Sequence, residues 1–552
     1  MRHGGQILAD HLAAFGVPRV FSVPGESFLA ALDGLHGAGI PNIVCRHEGG
    51  AAMMAEATGK LTGRPGIAFV TRGPGAANAS AGVHVAMQDA TPMILFVGQI
   101  ARGHRDRGAF QEVDFRAMFR PLAKWAAEVD DTARLPEYLS RAFHVATSGR
   151  PGPVVLSLPE DMLSARAEVA DIAPPAPRPA PVAPEAVAAV LAEIDRAARP
   201  LVIVGGSQWS AAAAADLAAF AGARGLPVAV DFRRQDYLDN THPAYAGDLG
   251  VGMNPALAAR LRAADLLVVL GARLGDIATG GYEHLAPGGP LPRLVHVHPD
   301  PDEPGTVFRP DLALTAPAPA MLAALAQSNA GAPRAPDWAA AARADYEAWQ
   351  RPLETPGAVR FEQVVAHLAR ALPPEAIVTN GAGNYAAFVH RYYRFRRHGT
   401  QLAPTSGSMG YGLPAAIAAK LHDPARPVIC MAGDGCFQMT LNELSTARQH
   451  GAAVVAIVAS NGRYGTIRMH QERSYPGRVA GTDLFNPDFA ALARAYGAHG
   501  ETVTETAAFP AALDRALAAG VPAVIDLHLD PEMLTPGQSV TQARAQGMAR
   551  PA

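Results

Sequence analysis

Residues 433–465 read GDGCFQMTLNELSTARQHGAAVVAIVASNGRYG. One apolar run, 427–431, precedes this stretch, and a second, 454–458, lies within it. The residues between the runs have a helical pattern, so the sequence predicts strand, helix and strand in one βαβ unit. Asp434 follows the first predicted strand, and Asn461 follows the second, 27 positions later. Because ligands bind at the carboxyl ends of parallel strands, we expect both side chains at one binding edge.

Asp434 and Asn461 carry the kind of oxygen that a hard cation prefers. A carboxylate, an amide carbonyl and a backbone carbonyl suit Mg²⁺ that is held jointly with a diphosphate. Gly433 and Gly435 let the main chain approach phosphate oxygens closely. The stretch therefore predicts a site for a metal ion and a diphosphate.

Length and composition limit the class of protein. A chain of 552 residues predicts about three domains, and its 49% hydrophobic and 18% charged residues are typical of a globular protein with a large core. The formal net charge of −3 gives no field that recruits nucleic acid or anionic membranes. No apolar run approaches the ~20 residues that span a bilayer, and the N-terminus lacks the apolar segment of a signal peptide. The three scattered cysteines are expected to be reduced, so we expect a cytoplasmic protein.

Two segments rich in proline and alanine divide the chain. The first spans 173–181 and the second lies around 327–336, and both are predicted linkers because proline keeps a chain extended. They predict domains at 1–165, 184–327 and 355–552. Each domain alternates short Val/Ile/Leu runs with alanine-rich helical stretches, which predicts the α/β class with three doubly wound parallel-sheet domains. The first and third domains look alike in plan, each with a glycine-rich site at strand ends.

A second stretch with possible chemistry, RHEGGAAMMAE, spans residues 46–56 and follows an apolar strand. Its small residues predict a closely packed helix that begins near Glu48. Taken alone, Glu48 has two interpretations. It could be a first-turn residue stabilised by the helix dipole, or it could be a carboxylate that exchanges a proton during catalysis.

Together these motifs resemble those of the thiamine diphosphate-dependent enzyme family. GDG followed by a helix and an NGxYG turn looks like the family's diphosphate motif, and RHExGAAxMAE is similar to the segment with its activating glutamate. TRGPGAAN at 71–78 and GSMGYGLP at 407–414 resemble two further segments. The resemblance covers nearly the whole chain and implies the order pyrimidine-binding, central and diphosphate-binding domain. It implies thiamine diphosphate and Mg²⁺ as cofactors.

The resemblance also implies roles for individual residues. Glu48 would bond the aminopyrimidine ring of the cofactor and thereby activate it. Met409, otherwise an ordinary core methionine, would hold the two rings in a V, and the Gly407 carbonyl would accept from the 4′-amino group. The metal ligands would be Asp434, Asn461 and Arg463. The other cofactor-binding residues would be Pro74, Asn78, Asn384, Gly433, Gly435, Cys436, Asn461, Tyr464 and Gly465.

In this family the active site lies between two subunits. One subunit provides the glutamate, here Glu48, and the other provides the GDG domain. The resemblance therefore implies a homodimer or a homotetramer, because a single chain would hold only half of each site.

The substrate-side FQE…K segment of acetohydroxyacid synthases is similar to Phe110-Gln111-Glu112 and Lys124. Two other positions differ from those enzymes. Those enzymes have a tryptophan nine residues after the metal-binding asparagine, where this chain has His470. They have a lysine in a PKD turn, where this chain has Glu160. The exact substrates of that branch therefore cannot be carried over.

Glu26, Gln111 and His470 are the other candidate catalytic residues. Glu26 follows a strand and a tight turn, where decarboxylase-like relatives place a substrate-facing acid or serine. Glu26 or His470 could relay protons; otherwise Glu26 caps the next helix and His470 is an exposed loop residue. Gln111, with Phe110, stands where simple decarboxylases have paired histidines, which favours transfer to a second carbonyl over release of an aldehyde.

The sequence therefore predicts decarboxylation of a pyruvate-like 2-oxo acid and carboligation to a second carbonyl, as in acetolactate synthase-like enzymes. The alternatives within the family are a 2-hydroxyacyl-CoA or oxalyl-CoA lyase-decarboxylase and an aldehyde lyase. A cofactor-binding subunit without chemistry is the alternative from another class, but Glu48, Asp434 and Asn461 are all present. The substrates of all these reactions would be small molecules, and no nucleic acid or membrane partner is expected.

The central domain bears on a third cofactor. It reads GARLGDIATG at 271–280, where FAD-binding relatives read GVRFDDRVTG. Arg273 and Thr279 match, but Gly275 replaces an acid and Ile277 replaces an arginine. Fewer groups remain to hold a dinucleotide, so the sequence favours a central domain without FAD and keeps FAD as the alternative.

Overall fold

The computed structural model describes residues 1–175, 181–328 and 331–549. It contains three six-stranded sheets with parallel strands, one in each part of the chain, and helices cover both faces of each sheet. This confirms the predicted α/β class. Residues 176–180 of the first predicted linker and 329–330 of the second lie outside the described residues.

The N-terminal sheet has a strand order of 2-1-3-4-6-5 along its own domain. In spatial order its strands are Asn42–Val44, Val20–Ser22, Gly66–Val70, Met93–Gln99, Pro153–Pro159 and Trp125–Glu128. The helices are Gly4–Ala14, Leu29–Gly37, Glu48–Thr62, Pro74–Gln88, Phe115–Phe119, Leu135–Thr147 and Glu160–Ser164. Alternate residues of the strand Gly66–Val70 enter different cores on the two faces, which is why the strand is apolar throughout.

The third sheet repeats the order 2-1-3-4-6-5. Its strands are Gln401–Leu402, Ile377–Asn380, Val428–Gly433, Val455–Ser460, Ala523–His528 and His499–Val503. The helices are Phe361–Ala371, Tyr385–Tyr392, Gly412–His422, Asp434–Gln438, Leu444–Gln449, Gly465–Ser474, Phe489–Ala495, Phe509–Ala518 and Val540–Met548. The two outer domains thus share one topology.

The central sheet has the Rossmann order 3-2-1-4-5-6. Its strands are Tyr245–Leu249, Val228–Asp231, Pro200–Val204, Leu266–Leu270, Arg293–His298 and Leu312–Thr315. The helices are Pro184–Arg196, Ala211–Arg224, Pro255–Ala263 and Ala318–Gln327. A further helix, Pro336–Trp349, follows the second predicted linker and packs on the edge strand Tyr245–Leu249.

The outer two domains share a hydrophobic core. The helix Glu48–Thr62 packs against Gly412–His422, and one cluster of buried residues includes members of both domains. Cys45, Cys430 and Cys436 are buried and free. Nowhere in the described ranges is there a helix both long and apolar enough to cross a membrane.

Candidate active site

The predicted βαβ unit is present and brings its two polar residues to one edge. The strands Val428–Gly433 and Val455–Ser460 are direct parallel neighbours. Asp434 begins the short helix after the first strand, and Asn461 follows the second. Both side chains therefore lie at the carboxyl edge of the third sheet, as the spacing predicts.

Asp434 is buried, and both of its carboxylate oxygens accept hydrogen bonds. Oδ1 accepts from the amide of Gly435 at 2.7 Å. Oδ2 accepts from the amide of Gly462 at 2.8 Å and from the side chain of Asn486, also at 2.8 Å. The amide of Asn461 donates to the same oxygen at 3.2 Å. These donors hold the carboxylate in one orientation, and Oδ1 keeps capacity for a cation.

Most of the predicted cofactor residues line one cavity at this edge. They are Asn384, Gly407, Met409, Gly433, Asp434, Gly435, Cys436, Asn461, Arg463, Tyr464 and Gly465. The rest of the lining consists of Ala382, Gly383, Tyr385, Ala459, Thr466, Ile467, Met533 and Leu534. All of these residues belong to the third domain.

Two glycines of the lining, Gly433 and Gly435, leave space that a side chain at either position would fill. A Cβ atom at Gly435 would lie 2.5 Å from Cε1 of Tyr464, and one at Gly433 would lie 3.0 Å from Cδ1 of Tyr385. Gly407 has a φ of +67°, which other residues rarely adopt. The cavity wall is therefore bare main chain at these points, which suits close contact with phosphate oxygens.

Met409 also lines the cavity, from a short loop that hydrogen bonds hold in place. The next residue, Gly410, has a φ of +79° and donates its amide hydrogen to Sγ of Cys436 at 3.2 Å. Thr440 donates its hydroxyl to the Gly410 carbonyl at 2.7 Å. These bonds fix the main chain on which Met409, half-buried, is carried.

The N-terminal domain holds a second group of predicted residues. Glu48 begins the helix Glu48–Thr62, and its Oε2 accepts from the side chain of Asn78 at 3.0 Å. A Cβ atom at Gly75 would lie 3.3 Å from Oε1 of Glu48, and Pro74 begins the helix that includes both Gly75 and Asn78. The structure therefore brings Glu48, Pro74 and Asn78 together, but none of them lines the cavity of the third domain.

Gln111 and Glu26 lie near the same helix start. Gln111 adopts a φ of +64° and packs so closely that a Cβ atom at Gly73 would lie 2.8 Å from its own Cβ. Glu26 begins a short 3₁₀ helix, and its side chain is 63% exposed. Arg72 lies between two acids, with contacts of 3.4 Å to Glu26 and 3.3 Å to Glu160. Gln111 is thus fixed, whereas Glu26 is accessible.

His470 and Lys124 lie outside both groups. His470 is exposed on the helix Gly465–Ser474, one turn after Ile467, which lines the cavity. Lys124 precedes the strand Trp125–Glu128 and so lies at the amino edge of its sheet. Its ammonium donates to backbone carbonyls at 2.6 and 2.7 Å, and burial lowers its pKa to about 8. We therefore leave Lys124 out of the candidate site.

Sequence reasoning missed several residues of the cavity. Asn486, which supports the cavity by bonding Asp434, comes from a loop beyond the βαβ unit. Met533 and Leu534 line the cavity from a hairpin of two short strands, Met533–Thr535 and Gln538–Ser539, after the last strand of the third sheet. Tyr385 could have been found, because it follows the GAG turn at the end of the neighbouring strand Ile377–Asn380. The C-terminal hairpin has no motif that would have revealed it.

The donor set also limits the kind of metal. Within the described part of the chain, no group of three or more His, Cys, Asp or Glu side chains could hold a metal ion. A metal at this site would therefore be held by mixed oxygens, from Asp434, Asn461 and a main-chain carbonyl such as that of Arg463. Such a set fits a hard cation that shares a diphosphate, in agreement with the sequence pattern.

Comparisons with known proteins agree with this geometry. Three family models match the chain in order: the N-terminal TPP-binding domain of thiamine pyrophosphate enzymes at residues 2–118, their central domain at 187–325 and their C-terminal TPP-binding domain at 381–527. TPP is thiamine pyrophosphate, the same compound as thiamine diphosphate.

Relatives that match over nearly the full length include acetolactate synthases. The large subunit from Parasynechococcus marenigrum (strain WH8102) is 33% identical over 98% of this chain and 90% of that protein. The isozyme 2 large subunit from Escherichia coli (strain K12) is 30% identical over 96% of each. Among solved structures, the Rhodococcus jostii RHA1 thiamine diphosphate-dependent 4-hydroxybenzoylformate decarboxylase superposes with a TM-score of 0.84 at 26% identity, over 96% of this chain and 99% of that one. The chain therefore belongs to the thiamine diphosphate-dependent enzyme family, in its acetolactate synthase-like branch.

Proposed function

We propose that the protein decarboxylates a 2-oxo acid, most simply pyruvate, and joins the resulting two-carbon unit to a second carbonyl compound. The product would be of the acetolactate or acyloin type. The observation that carries this proposal is the single cavity in which Asp434, Asn461, Gly435 and Met409 meet at the carboxyl edge of the third sheet. The acetolactate synthase relatives support the choice of reaction.

Thiamine diphosphate and Mg²⁺ fit the residues of this cavity. Asp434, Asn461 and the Arg463 carbonyl would hold the metal, and the bare main chain at Gly433 and Gly435 would accommodate the diphosphate. When bound, the cofactor supplies an electron sink for the bond to the departing carboxylate. The protein then has to hold the reacting groups in place, exclude water and move protons.

A complete site would need two chains. The cavity is lined only by the third domain, whereas Glu48 belongs to the first. Several large apolar side chains near the cavity are exposed in the single chain, including Ile467 at 51% and Phe485 at 97%. We propose that a second copy of the chain covers them and brings its own Glu48 to this cavity, in a homodimer or a homotetramer. The free, buried cysteines support a cytoplasmic location.

The remaining candidate residues would have separate roles in proton transfer and substrate binding. Glu48, held by Asn78, would exchange a proton with the cofactor ring. Gln111 would offer its amide to the bound substrate from a fixed backbone position. Glu26 is accessible and could relay a proton to the product, and His470 is the other candidate for this step.

The cavity at the carboxyl edge of the central sheet bears on FAD. Two residues of its lining match positions that bind dinucleotides in Rossmann domains. Gly206 follows the first strand of the domain, Pro200–Val204, and Asp231 ends the second, where Rossmann domains place an acid that binds ribose. However, Arg273 pairs with Glu303 at 2.9 Å, and Arg234 donates to the Gly206 carbonyl at 3.0 Å. Because Arg273 is already paired, and Gly275 and Ile277 replace an acid and an arginine of the FAD-binding pattern, we propose that the domain holds no FAD. An adenine nucleotide or a coenzyme A ester remains the alternative, and it would fit an acyl-CoA lyase.

The absence of FAD predicts a colourless protein. We expect the purified full-length chain to show no flavin absorption in the visible range. The chain should also retain no flavin when it is mixed with excess FAD and passed through a desalting column. Thiamine diphosphate carried through the same procedure is the positive control. Retention of one flavin per chain would contradict the proposal.

His470→Trp should shift the choice of acceptor. His470 lies one helical turn after Ile467, which lines the cavity, so a larger ring at position 470 would narrow the approach from that side. We expect the ratio of kcat/KM values for a larger and a smaller acceptor to change by about tenfold, the effect of one good steric contact. Ser474→Trp, at the exposed end of the same helix, is the matched control. Identical acceptor profiles for the two variants would remove His470 from the site.

The reaction itself can be tested without assuming the acceptor. The full-length chain, loaded with thiamine diphosphate and Mg²⁺, is incubated with pyruvate and other 2-oxo acids. Aldehydes, 2-oxo acids or coenzyme A esters are added separately, and the products are identified by mass spectrometry. A new carbon–carbon bond to an aldehyde or 2-oxo acid supports the carboligase. Free aldehyde alone, or cleavage of a coenzyme A ester, would favour one of the other family reactions.

A further inference from the structure

A third cavity lies where the three domains meet, apart from the candidate active site and beside the cavity of the central sheet, with which it shares Asp89, Ala90, Ser207 and Arg234. Its lining includes the segment 59–63 of the N-terminal domain, Trp209 and Tyr237 of the central domain, and His398, Gly399, Gln401 and Leu402 of the third domain. We call it the junction cleft. Its volume of about 280 Å³ accommodates a small ligand and several waters. None of the family motifs and no step of the proposed reaction uses the junction cleft.

Two neighbouring arginines line the junction cleft without a close counter-ion. Arg233 and Arg234 are 4% and 5% exposed. Within the described residues, neither guanidinium has a carboxylate oxygen within 4.0 Å. Arg234 donates to three backbone carbonyls, and Arg233 donates to the Pro404 carbonyl. A buried cation that lacks a close partner is costly, so two adjacent ones indicate that an anion belongs beside them.

The other charged groups of the cleft are already engaged. The ammonium of Lys60 contacts Asp89 and also Glu56, which lies behind the lining. Asp236 uses one oxygen to accept three backbone amides of the third domain, at 2.8, 3.0 and 3.2 Å. Burial alone would lower the pKa of Arg234, but the neighbouring Tyr237, Asp89, Asp231 and Asp236 together raise it. For Arg233, burial dominates and lowers the pKa. Of the three cations that line the cleft, Arg233 therefore has the fewest hydrogen-bond partners.

Unused hydrogen-bonding atoms point to the same place. Nε of Arg233 is buried and has no partner, and the hydroxyl of Ser207, which also lines the cleft, is in the same condition. Arg233 has a φ of +60°, a strained backbone for a residue with a side chain. A strained backbone together with unpaired donors is typical of a site that is prepared for a ligand.

We propose that the junction cleft binds a small oxyanion, a carboxylate or a phosphate, on Arg233, Arg234 and Ser207. Guanidinium groups suit this chemistry because their planar N–H groups match oxyanion geometry. Trp209 stacks on Tyr237 at 4.4 Å and forms one wall of the cleft. Arg233, Arg234 and Ser207 belong to the central domain, and residues of the two outer domains form the rest of the cleft wall.

The test uses the full-length chain loaded with thiamine diphosphate and Mg²⁺, so that the diphosphate site is filled. Inorganic phosphate and acetate are titrated separately, with sodium chloride at matched ionic strength, by calorimetry and by tryptophan fluorescence. We expect saturable binding of one of the two anions, and which one binds decides between phosphate and carboxylate. Trp209→Phe should lose most of the fluorescence change and keep the calorimetric signal, which places the site at this wall.

Two variants decide whether the arginine pair is responsible. Arg233→Gln should weaken the binding by about tenfold or more, the loss of one hydrogen bond to a charged group. Ser207→Ala should weaken anion binding less, but measurably. Because this change is small, it can replace the arginine variant if that variant does not fold. Arg116→Gln removes an exposed charge elsewhere and should have no effect. The proposal is overturned if neither anion binds more than chloride, or if both site variants bind as the unaltered protein does.

Discussion

Glu48→Gln should leave thiamine diphosphate bound and slow the exchange of its C2 proton by about 10²- to 10⁴-fold, the usual contribution of a positioned acid–base group. Glutamine keeps the shape of the side chain and an oxygen that can accept from Asn78, which now bonds Glu48 at 3.0 Å. The helix start should therefore be preserved. What is lost is the carboxylate that can take and return a proton.

The measurement is hydrogen–deuterium exchange at C2 of the bound cofactor, followed by NMR after rapid quenching. This readout needs no substrate, so it tests Glu48 even when the donor acid is unknown. Glu160→Gln is the matched control, because it removes the same charge from a partly exposed side chain of the same domain. Exchange in Glu48→Gln at the rate of the control would refute the assigned role.

The same variant can test whether two chains share a site. If Glu48 acts on a neighbouring chain, a mixture of Glu48→Gln and Asp434→Ala chains, each inactive alone, should regain activity by pairing an intact first domain with an intact third domain. With random pairing, about one site in four would be complete. No recovery in confirmed hetero-oligomers would place both residues in one chain and contradict the shared site.

The sequence predicts those parts of the fold and the candidate site that depend on short-range pattern. Asp434 and Asn461 could be placed because each directly follows a strand, and parallel neighbours end at the same edge. The sequence could also place Glu48 near Asn78, because both lie in the first turns of helices that follow strands of one sheet. In each case the residue's position along the chain determines its position at the sheet edge.

Other features depend on contacts that no local pattern encodes. Asn486 reaches Asp434 only because the loop after the helix Gly465–Ser474 folds back over the strand ends. The junction cleft depends on three domains meeting, so the pair Arg233 and Arg234 appears in the sequence as an ordinary charged dipeptide. Similarly, Lys124 matches a motif letter by letter but lies at the opposite edge of its sheet.

Asp434→Ala should abolish the Mg²⁺-dependent retention of thiamine diphosphate and raise its dissociation constant by more than ~100-fold, because loss of a direct ligand should cost at least as much as loss of the groups that support one. The change also removes an acceptor for four donors, those of Gly435, Asn461, Gly462 and Asn486. Each buried donor left unpaired costs about 1–3 kcal/mol, so part of the effect would come from local disorder.

Asp434→Asn separates the two causes. It keeps one acceptor oxygen and the volume of the side chain but loses the charge that a divalent cation requires. If the metal role is correct, both variants should bind cofactor weakly in calorimetry, and added Mg²⁺ should no longer improve the binding of either. Asp483→Ala, in the adjoining loop with its side chain 80% exposed, should behave as the unaltered protein does. If Asp434→Asn kept the full Mg²⁺ dependence, the carboxylate would only organise the turn, and the metal would have to be held by other oxygens.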